Sequence, residues 1–305
     1  MDFRMTIVGV GGVGGVLAGP LLRKYGGAVS LVARGARAEH LRQNGLSLRS
    51  DLYGTFTAPA PSVAETPEEL GVQDFVLVCV KNDALPKVLE QIRPIVGEHT
   101  IVVPVMNGVT AMDVTKNGLS AGTGLGCVIY TVSSAGADYC ITQKGKFTYL
   151  VLEDAGEGSR RLQEIFADAG IECRLSGDIK TAIWNKYVFN CAYNTMTASD
   201  STDAAGLKAE PLRSDFAAII SEAMAVGTAA GAAFEEGMLD KEMHRLDKTL
   251  DSSTSSLSRD FDARRAGEME VFSGELVRMA ERFGIDTPVM QRYYEKLLAL
   301  AKTFN

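Results

Sequence analysis

The strongest constraint on the fold is a glycine-rich loop close to the start of the chain. The apolar run MTIV at positions 5–8 is followed by GVGGVG at positions 9–14 and then by a segment of helical composition. In a GxGxxG loop between a strand and a helix, Gly9 permits a tight turn, Gly11 lets the backbone approach a pyrophosphate, and Gly14 lets the helix pack closely on the strand. A turn without a ligand is the alternative, but the position between a strand and a helix favours dinucleotide binding. The predicted cofactor-binding residues of this loop are Gly9, Gly11, Gly12, Val13 and Gly14.

The first half of the chain alternates short β-branched runs with helical stretches, which is typical of parallel strands joined by crossover helices. The apolar runs predicted as buried strands are Met5–Val8, Val29–Ala33, Phe75–Val80 and Ile101–Val105. The segments GCVIYTVSSA, DYCITQ and KFTYLVLE, which follow position 121, are predicted as antiparallel or edge strands. A helix over 158–169 and a strand over 172–175 complete this half.

The second half has helical periodicity throughout. Its predicted helices are Asp178–Ala198, Glu210–Ala230, Leu239–Leu250, Asp260–Phe283 and Thr287–Thr303. The sequence therefore predicts an α/β protein with an N-terminal Rossmann-type dinucleotide-binding domain, residues 1–177, followed by an all-helical C-terminal domain, residues 178–305.

Composition and charge narrow the classes of partner. The 305 residues include 38 acidic and 31 basic side chains, and the resulting formal charge of −7 argues against a nucleic-acid partner. No apolar run reaches the roughly 18–20 residues that span a bilayer, and the N-terminus lacks the features of a secretion signal. The cysteines form no CxxC pair and the histidines are isolated, so neither a disulfide framework nor a metal site is predicted. We therefore expect a cytoplasmic protein without membrane attachment.

The end of the second predicted strand decides between the two nicotinamide dinucleotides. An acidic residue at this place would bind the ribose hydroxyls of NADH, but the chain has Arg34. A guanidinium can pair with the 2′-phosphate of NADPH through two hydrogen bonds, and Arg37 could join it. Two solvated loop charges are the alternative. The missing carboxylate favours NADPH.

Polar residues also follow two further predicted strands. Lys81 comes after FVLVCV, and Asn107-Gly108 comes after IVVPVM. Ligands of open α/β sheets bind at the carboxyl edge of the strands. We therefore expect Lys81 and Asn107 to line the nicotinamide end of the cofactor site, although each alone could be an ordinary loop residue.

A polar stripe runs along the first helix of the second half. Lys186, Asn190 and Asn194 are spaced i, i+4, i+8 on a helix that is otherwise mostly apolar. Burying these groups without partners would be costly, so the stripe faces either water or a polar ligand. A lysine beside a ligand can protonate a carbonyl oxygen.

A second line of charged residues is predicted on the fourth helix. Asp260, Arg264 and Glu268 have the same i, i+4, i+8 spacing, and Ser255 and Ser256 precede them. An exposed helix start with a serine cap and a charge ladder is the competing interpretation.

With these motifs, the chain resembles the ketopantoate reductase (2-dehydropantoate 2-reductase) family nearly from end to end. The matching motifs are the glycine loop, Lys81, the Asn107-Gly108 pair, WxKxxxNxxxNxxTA over 184–198, and SSxxxD over 255–260 with Glu268. The helix motif together with SSxxxD and Glu268 is far more specific than the glycine loop. The resemblance implies an NADPH-binding domain, a helical domain, and a 2-oxo acid substrate in the cleft between them.

The resemblance also implies a role for each matching residue. Lys186 resembles the catalytic proton donor, and Glu268 resembles a catalytic-site residue near the cofactor amide and the reacting end. The residues that resemble substrate contacts are Asn107, Lys186, Asn190, Asn194 and Ser256. Arg34 resembles the 2′-phosphate contact, and Lys81 and Asn107 resemble cofactor-side residues. The implied reaction is NADPH-dependent reduction of 2-dehydropantoate to pantoate, in pantothenate biosynthesis.

Three departures from the family pattern leave the substrate open. Met106, Ala204 and Ser253 stand where the family often has glutamine or asparagine. One alternative is therefore an NADPH-dependent reductase of a different 2-oxo acid on the same fold. A second alternative, from another class, is a non-catalytic NADPH-binding sensor. The sequence does not decide the oligomeric state, and a homodimer is one candidate.

Overall fold

The chain forms two compact units. The computed structural model describes residues 2–304, and its units are Met1–Ile179 and Lys180–Asn305. The first unit contains both strands and helices, whereas the described part of the second contains helices without strands. This arrangement confirms the predicted fold class, an α/β domain followed by a helical domain. The division lies two residues after the predicted boundary at 177/178.

The first unit contains two sheets and the helices that pack on them. Its strands are β1 Met5–Val8, β2 Val29–Val32, β3 Leu46–Ser50, β4 Gly54–Ala58, β5 Val63–Ala64, β6 Gln73–Val78, β7 Val96–Pro104, β8 Thr123–Gly124, β9 Cys127–Ala135, β10 Ile141–Glu153 and β11 Glu172–Ser176. Its helices are α1 Gly12–Tyr25, α2 Gly35–Asn44, α3 Leu85–Ile92, α4 Ala111–Gly118 and α5 Glu157–Asp168. The four predicted buried strands are confirmed as β1, β2, β6 and β7.

The larger sheet is parallel and has the strand order β5-β2-β1-β6-β7-β8. Numbered along the chain within this sheet, the order is 3-2-1-4-5-6, which is that of a Rossmann fold. Every residue of β1 and β2 is buried. These short, mostly apolar strands are therefore buried on both faces, as expected for parallel strands covered by crossover helices.

The second sheet has the order β11-β10-β3-β4, and β9 pairs antiparallel with β10. Helix α1 lies against it through a stripe of glycines, since a Cβ on Gly12 would lie 2.8 Å from the carbonyl oxygen of Ser133 and one on Gly19 would lie 2.9 Å from Leu48 Cδ2. The last three residues of DYCITQ and all of KFTYLVLE, predicted as separate strands, belong to the single strand β10, whose register shifts between Lys144 and Tyr149. Strands β3 and β4 lack a continuous apolar run and were not predicted.

The second unit is helical. Its helices are α6 Ile179–Ser199, α7 Ala204–Leu207, α8 Leu212–Ala229, α9 Met238–Lys248, α10 Ser256–Asp262, α11 Glu275–Phe283 and α12 Pro288–Ala301, and a π-helical turn spans Glu270–Gly274. Within residues 2–304, no helix combines the length and apolarity needed to cross a membrane.

The predicted continuous helix Asp260–Phe283 is wrong. The chain leaves α10 after Asp262, and both Arg264 and Gly267 have positive φ angles, of 54° and 56°. The Arg265 guanidinium turns back to Asp260, with 2.6 Å between Nη2 and Oδ1, and stabilises the break. Asp260, Arg264 and Glu268 therefore do not form a ladder on one helix.

Candidate active site

The parallel sheet brings several functional candidates to one edge. Because its strands all run in the same direction, the residues that follow them leave the sheet at the same carboxyl edge. These residues are Gly9 after β1, Arg34 after β2, Glu65 after β5, Lys81 after β6 and Asn107 after β7. The sequence predicted four of them, and Glu65 was missed.

The fold requires glycine at some positions of the glycine loop but not at Gly11. Gly9 has a φ angle of 92°, and a Cβ there would lie 2.8 Å from the carbonyl oxygen of Cys79. A Cβ on Gly14 would collide with the carbonyl oxygen of Gly9. By contrast, a Cβ on Gly11 would have no protein atom within 4 Å other than those of Gly11 and its two chain neighbours. The space beside Gly11 is thus open, which fits the close approach of a pyrophosphate.

The two arginines after β2 have different surroundings. Arg34 is exposed, and its Nη2 donates to Gln91 Oε1 at 2.9 Å. Arg37 is half-buried, donates from Nη1 to the carbonyl oxygen of Val10 at 2.9 Å, and lies 5.1 Å from the ring centre of Tyr139. Arg37 therefore braces the glycine loop, whereas Arg34 is the accessible guanidinium at this edge.

The ends of β6 and β7 are joined by a hydrogen bond. Asn82 Nδ2 donates to the carbonyl oxygen of Asn107 at 2.8 Å. Lys81, the residue before Asn82, is exposed, and Asn107 is half-buried. The two predicted cofactor-side residues thus lie on neighbouring strand ends whose relative position is fixed.

The polar stripe of α6 is more deeply buried at Asn194 than at its start. Lys186 and Asn190 are half-buried, whereas Asn194 is only 6% exposed. Asn194 Nδ2 donates to the carbonyl oxygen of Asn190 at 2.9 Å, and its Oδ1 accepts from the Ser256 hydroxyl at 3.1 Å. The side-chain amide of Asn194 is therefore engaged within the protein and holds Ser256 at the start of α10.

Neighbouring hydroxyl groups reinforce this junction between α6 and α10. The hydroxyl oxygens of Thr197 and Ser255 are 2.7 Å apart, and the Tyr193 hydroxyl donates to the carbonyl oxygen of Ser253 at 2.8 Å. Ser255 in turn caps α10 by accepting from the Ser258 amide at 2.9 Å. The exposed Ser256 consequently occupies a fixed position.

Glu268 lies just before the π-helical turn. Such turns leave backbone carbonyl groups without their usual helical partners, and they are frequent at functional sites. The Tyr187 hydroxyl donates to the carbonyl oxygens of Val271 and Phe272, at 3.0 and 3.1 Å. Burial raises the pKa of this hydroxyl well above its usual value, so it stays protonated and remains a donor. Tyr187, the residue after Lys186, thus fastens α6 to the turn that follows Glu268.

We predict that Tyr187→Phe destabilises the protein by about 1–3 kcal/mol, because the buried carbonyl of Phe272 and the half-buried carbonyl of Val271 lose their donor. Urea unfolding of the variant and the wild type measures this loss. Tyr294→Phe is the matched control, since the Tyr294 hydroxyl donates to Glu270 Oε1 at a more accessible position. Its expected loss is below about 1 kcal/mol. Equal losses in the two variants would contradict the structural role of Tyr187.

Metal-ligating and thiol groups are dispersed. Among residues 2–304, no three His, Cys, Asp or Glu side chains are grouped so that they could hold a metal ion. The cysteines are buried and free of disulfides. Burial raises the pKa of the Cys79 thiol to about 12, so this thiol, which packs beneath the glycine loop, stays protonated.

Both units match models of one protein family. Residues 5–154 match the family described as "Ketopantoate reductase PanE/ApbA", and residues 178–301 match its C-terminal counterpart. The 2-dehydropantoate 2-reductase of Mesorhizobium japonicum is 31% identical over 311 residues, which cover 93% of each chain.

Solved structures share the fold over nearly the whole length. The 2-dehydropantoate 2-reductase from Geobacter metallireducens is 27% identical, has a TM-score of 0.86, and the match covers 97% of this chain and 99% of that one. D-mandelate dehydrogenase, solved with NADH and anilino(oxo)acetate, is 18% identical with a TM-score of 0.85 over 99% of both chains, and it shows the fold alone. On the two family matches and the 31% identity to the Mesorhizobium enzyme, the chain belongs to the ketopantoate reductase family.

Proposed function

We propose that the chain catalyses the NADPH-dependent reduction of 2-dehydropantoate to pantoate, in pantothenate biosynthesis. The observation that carries this proposal is the stripe of α6, where the half-buried Lys186 and Asn190 continue into an Asn194 that holds Ser256. Lys186 supplies a cation, Asn190 an amide and Ser256 a hydroxyl, which together suit an oxo acid that also carries a hydroxyl and a carboxylate. The buried, disulfide-free cysteines support action in the reducing cytoplasm.

The residues of the first unit suit a dinucleotide. The open space beside Gly11 would receive the pyrophosphate, and Gly9, Gly12, Val13 and Gly14 would complete the loop. Arg34 would pair with the 2′-phosphate, and this pairing favours NADPH as the cofactor. When bound, NADPH supplies the hydride. Lys81 and Asn107 would contact its nicotinamide end.

The residues of the second unit suit the proton transfer and the binding of the acid. Addition of a hydride to the 2-oxo carbon leaves negative charge on the carbonyl oxygen, which a cationic donor stabilises and protonates. Lys186 is that donor in our proposal, and Glu268 orients the lysine or the substrate. Asn190 would bind the hydroxyl end of the substrate. Ser256 would bind its carboxylate, and Asn194 supports this contact by fixing Ser256.

A different 2-oxo acid is the second candidate substrate. Ala204 and Met106 are buried and have apolar side chains, so neither replaces the polar group that the resemblance implies at its position. The structurally similar D-mandelate dehydrogenase was solved with an oxo acid of another kind. A non-catalytic NADPH sensor, the third candidate, would leave the Lys186 stripe without a function.

A panel of 2-oxo acids separates these three candidates. The measurement is kcat/KM for NADPH-dependent reduction of 2-dehydropantoate and of oxo acids with smaller, larger and aromatic side chains. We expect the highest value for 2-dehydropantoate. A higher value for another acid would support the second candidate, and tight NADPH binding without turnover of any acid would support the sensor.

The cofactor assignment predicts a selective effect of Arg34→Ala. Because a charge-assisted hydrogen bond contributes about 1.5–3 kcal/mol and Arg34 is exposed, we expect the lower end of this range, an approximately tenfold weaker affinity for NADPH. Affinity for NADH, which lacks the 2′-phosphate, should change much less. Fluorescence titration of the reduced cofactors measures both dissociation constants. Equal losses for the two cofactors would contradict the 2′-phosphate contact.

A further inference from the structure

A carboxylate from a neighbouring strand lies at the start of α2. Strand β5 pairs in parallel with β2, and Glu65 is the residue that follows β5. Glu65 Oε2 accepts from the backbone amide of Gly35 at 3.2 Å, and its Oε1 lies 3.3 Å from Arg42 Nη1. Gly35 is the first residue of α2 and directly follows Arg34. The end of β2 thus has an acidic neighbour, Glu65, which directly follows β5.

The backbone around Glu65 is held in place from two sides. The amides of Glu65 and Thr66 donate to Glu69 Oε1, at 2.9 and 2.8 Å, and these bonds lower the pKa of the Glu69 carboxyl below its usual value. On the other side, Arg42 Nε donates to the carbonyl oxygen of Val63 at 3.3 Å. The carboxylate of Glu65 therefore belongs to an ordered turn, although 46% of its side chain is exposed.

Both groups that would receive a 2′-phosphate are already engaged by the protein's own side chains. Arg34 donates to Gln91, and the amide of Gly35 donates to Glu65. Gln91 is neutral, so a phosphate that displaces it from Arg34 would not be repelled by it. Glu65 differs, because a phosphate at Arg34 carries up to about two negative charges and would lie close to its carboxylate. The phosphate and the carboxylate, both negatively charged, would repel each other.

We propose that Glu65 is a specificity-determining residue that weakens NADPH binding by competing with the 2′-phosphate at the start of α2. This inference rests on the proposed function, in which Arg34 binds that phosphate. The ribose 2′-hydroxyl of NADH can donate a hydrogen bond to the same carboxylate, so Glu65 opposes NADPH without opposing NADH. The chain consequently prefers NADPH by a smaller factor than Arg34 alone would give.

Neutralising Glu65 tests this inference. Glu65→Gln keeps the size of the side chain and its hydrogen-bond acceptor but removes the charge. We expect the ratio of the NADH to the NADPH dissociation constant, measured by fluorescence titration at low salt, to rise about tenfold. The rise should come from tighter NADPH binding and shrink as salt is added. Glu65→Ala should shift the ratio in the same direction, so the test does not depend on one variant.

Glu68→Gln is the matched control, because it removes the same charge from an exposed side chain in the same turn. In this control, the ratio of the NADH to the NADPH dissociation constant should stay within about twofold of the wild-type ratio. An unchanged or lowered ratio in both Glu65 variants would overturn the inference, as would an equal rise in the Glu68 control.

The same measurements distinguish this inference from the proposed function. If Arg34→Ala weakens NADPH binding but the Glu65 variants leave the ratio unchanged, the inference alone fails. If the Glu65 variants raise the ratio but no 2-oxo acid is reduced, the inference stands and the proposed reaction fails.

Discussion

Replacement of Lys186 by alanine is expected to lower the turnover of 2-dehydropantoate by about 100-fold or more. Without the lysine, the negative charge that develops on the carbonyl oxygen loses both its cationic neighbour and its proton donor. The affinity for NADPH should stay nearly unchanged, because Lys186 is not among the proposed cofactor contacts. Steady-state kinetics give the turnover, and fluorescence titration gives the NADPH dissociation constant.

Two further variants show whether the loss is specific to this lysine. Lys180→Ala removes the same charge from a half-buried position on the same helix and should leave turnover close to that of the wild type. Lys186→Arg retains the positive charge, but a guanidinium does not release its proton, so turnover should fall between those of the wild type and the alanine variant. Wild-type-like turnover of Lys186→Ala would show that the proton comes from another group.

Replacement of Gly11 by alanine is expected to weaken NADPH binding about 100-fold while the protein still folds. A Cβ at this position meets no protein atom within 4 Å beyond those of Gly11 and its two chain neighbours, so the substitution creates no collision in the folded protein. The added methyl group would instead occupy the space that the pyrophosphate needs. Fluorescence titration measures the loss of affinity, and thermal unfolding without cofactor measures the effect on stability.

Two other glycines provide the comparison. Gly27→Ala also adds a methyl group to open space in the first unit, but outside the loop, and should leave NADPH binding unchanged. Gly14→Ala would drive a Cβ into the carbonyl oxygen of Gly9 and should destabilise the fold itself. If Gly11→Ala binds NADPH as tightly as the wild type, the loop does not hold a pyrophosphate in the way proposed.

The parts of the fold that the sequence predicts are those with strong local signals. Strands β1, β2, β6 and β7 each contain a short, mostly apolar run, and α6 and α12 have clear helical periodicity. Strands β3 and β4 escaped prediction because neither contains a continuous apolar run, and β3 pairs with β10, which lies far away in the sequence.

The break after α10 was not predicted for a different reason. The composition of 260–283 is compatible with one helix, and nothing local excludes that structure. The chain instead turns at Arg264 and Gly267 and resumes in a π-helical turn that Tyr187, more than eighty positions earlier, stabilises. A contact between residues so far apart in sequence has no signal in a short window.

Residues of the candidate site also differ in this way: some have a local sequence signal, and others depend on contacts between distant parts of the chain. The glycine spacing and the i, i+4 stripe make Gly11, Lys186 and Asn190 candidates from sequence alone. The position of Glu65 beside Gly35 depends on the pairing of β5 with β2, and β5 has only two residues. The internal partners of Asn194 depend on the packing of α10 against α6. Both features became visible only with the tertiary structure.

The central claim is that this protein reduces 2-dehydropantoate with NADPH, and the consumption of NADPH in the presence of that acid tests it most directly. The purified wild-type protein should oxidise NADPH only when the oxo acid is added, and one pantoate should form for each NADPH consumed. NADPH consumption that the oxo acid does not increase, in a protein that still binds NADPH, would contradict the claim.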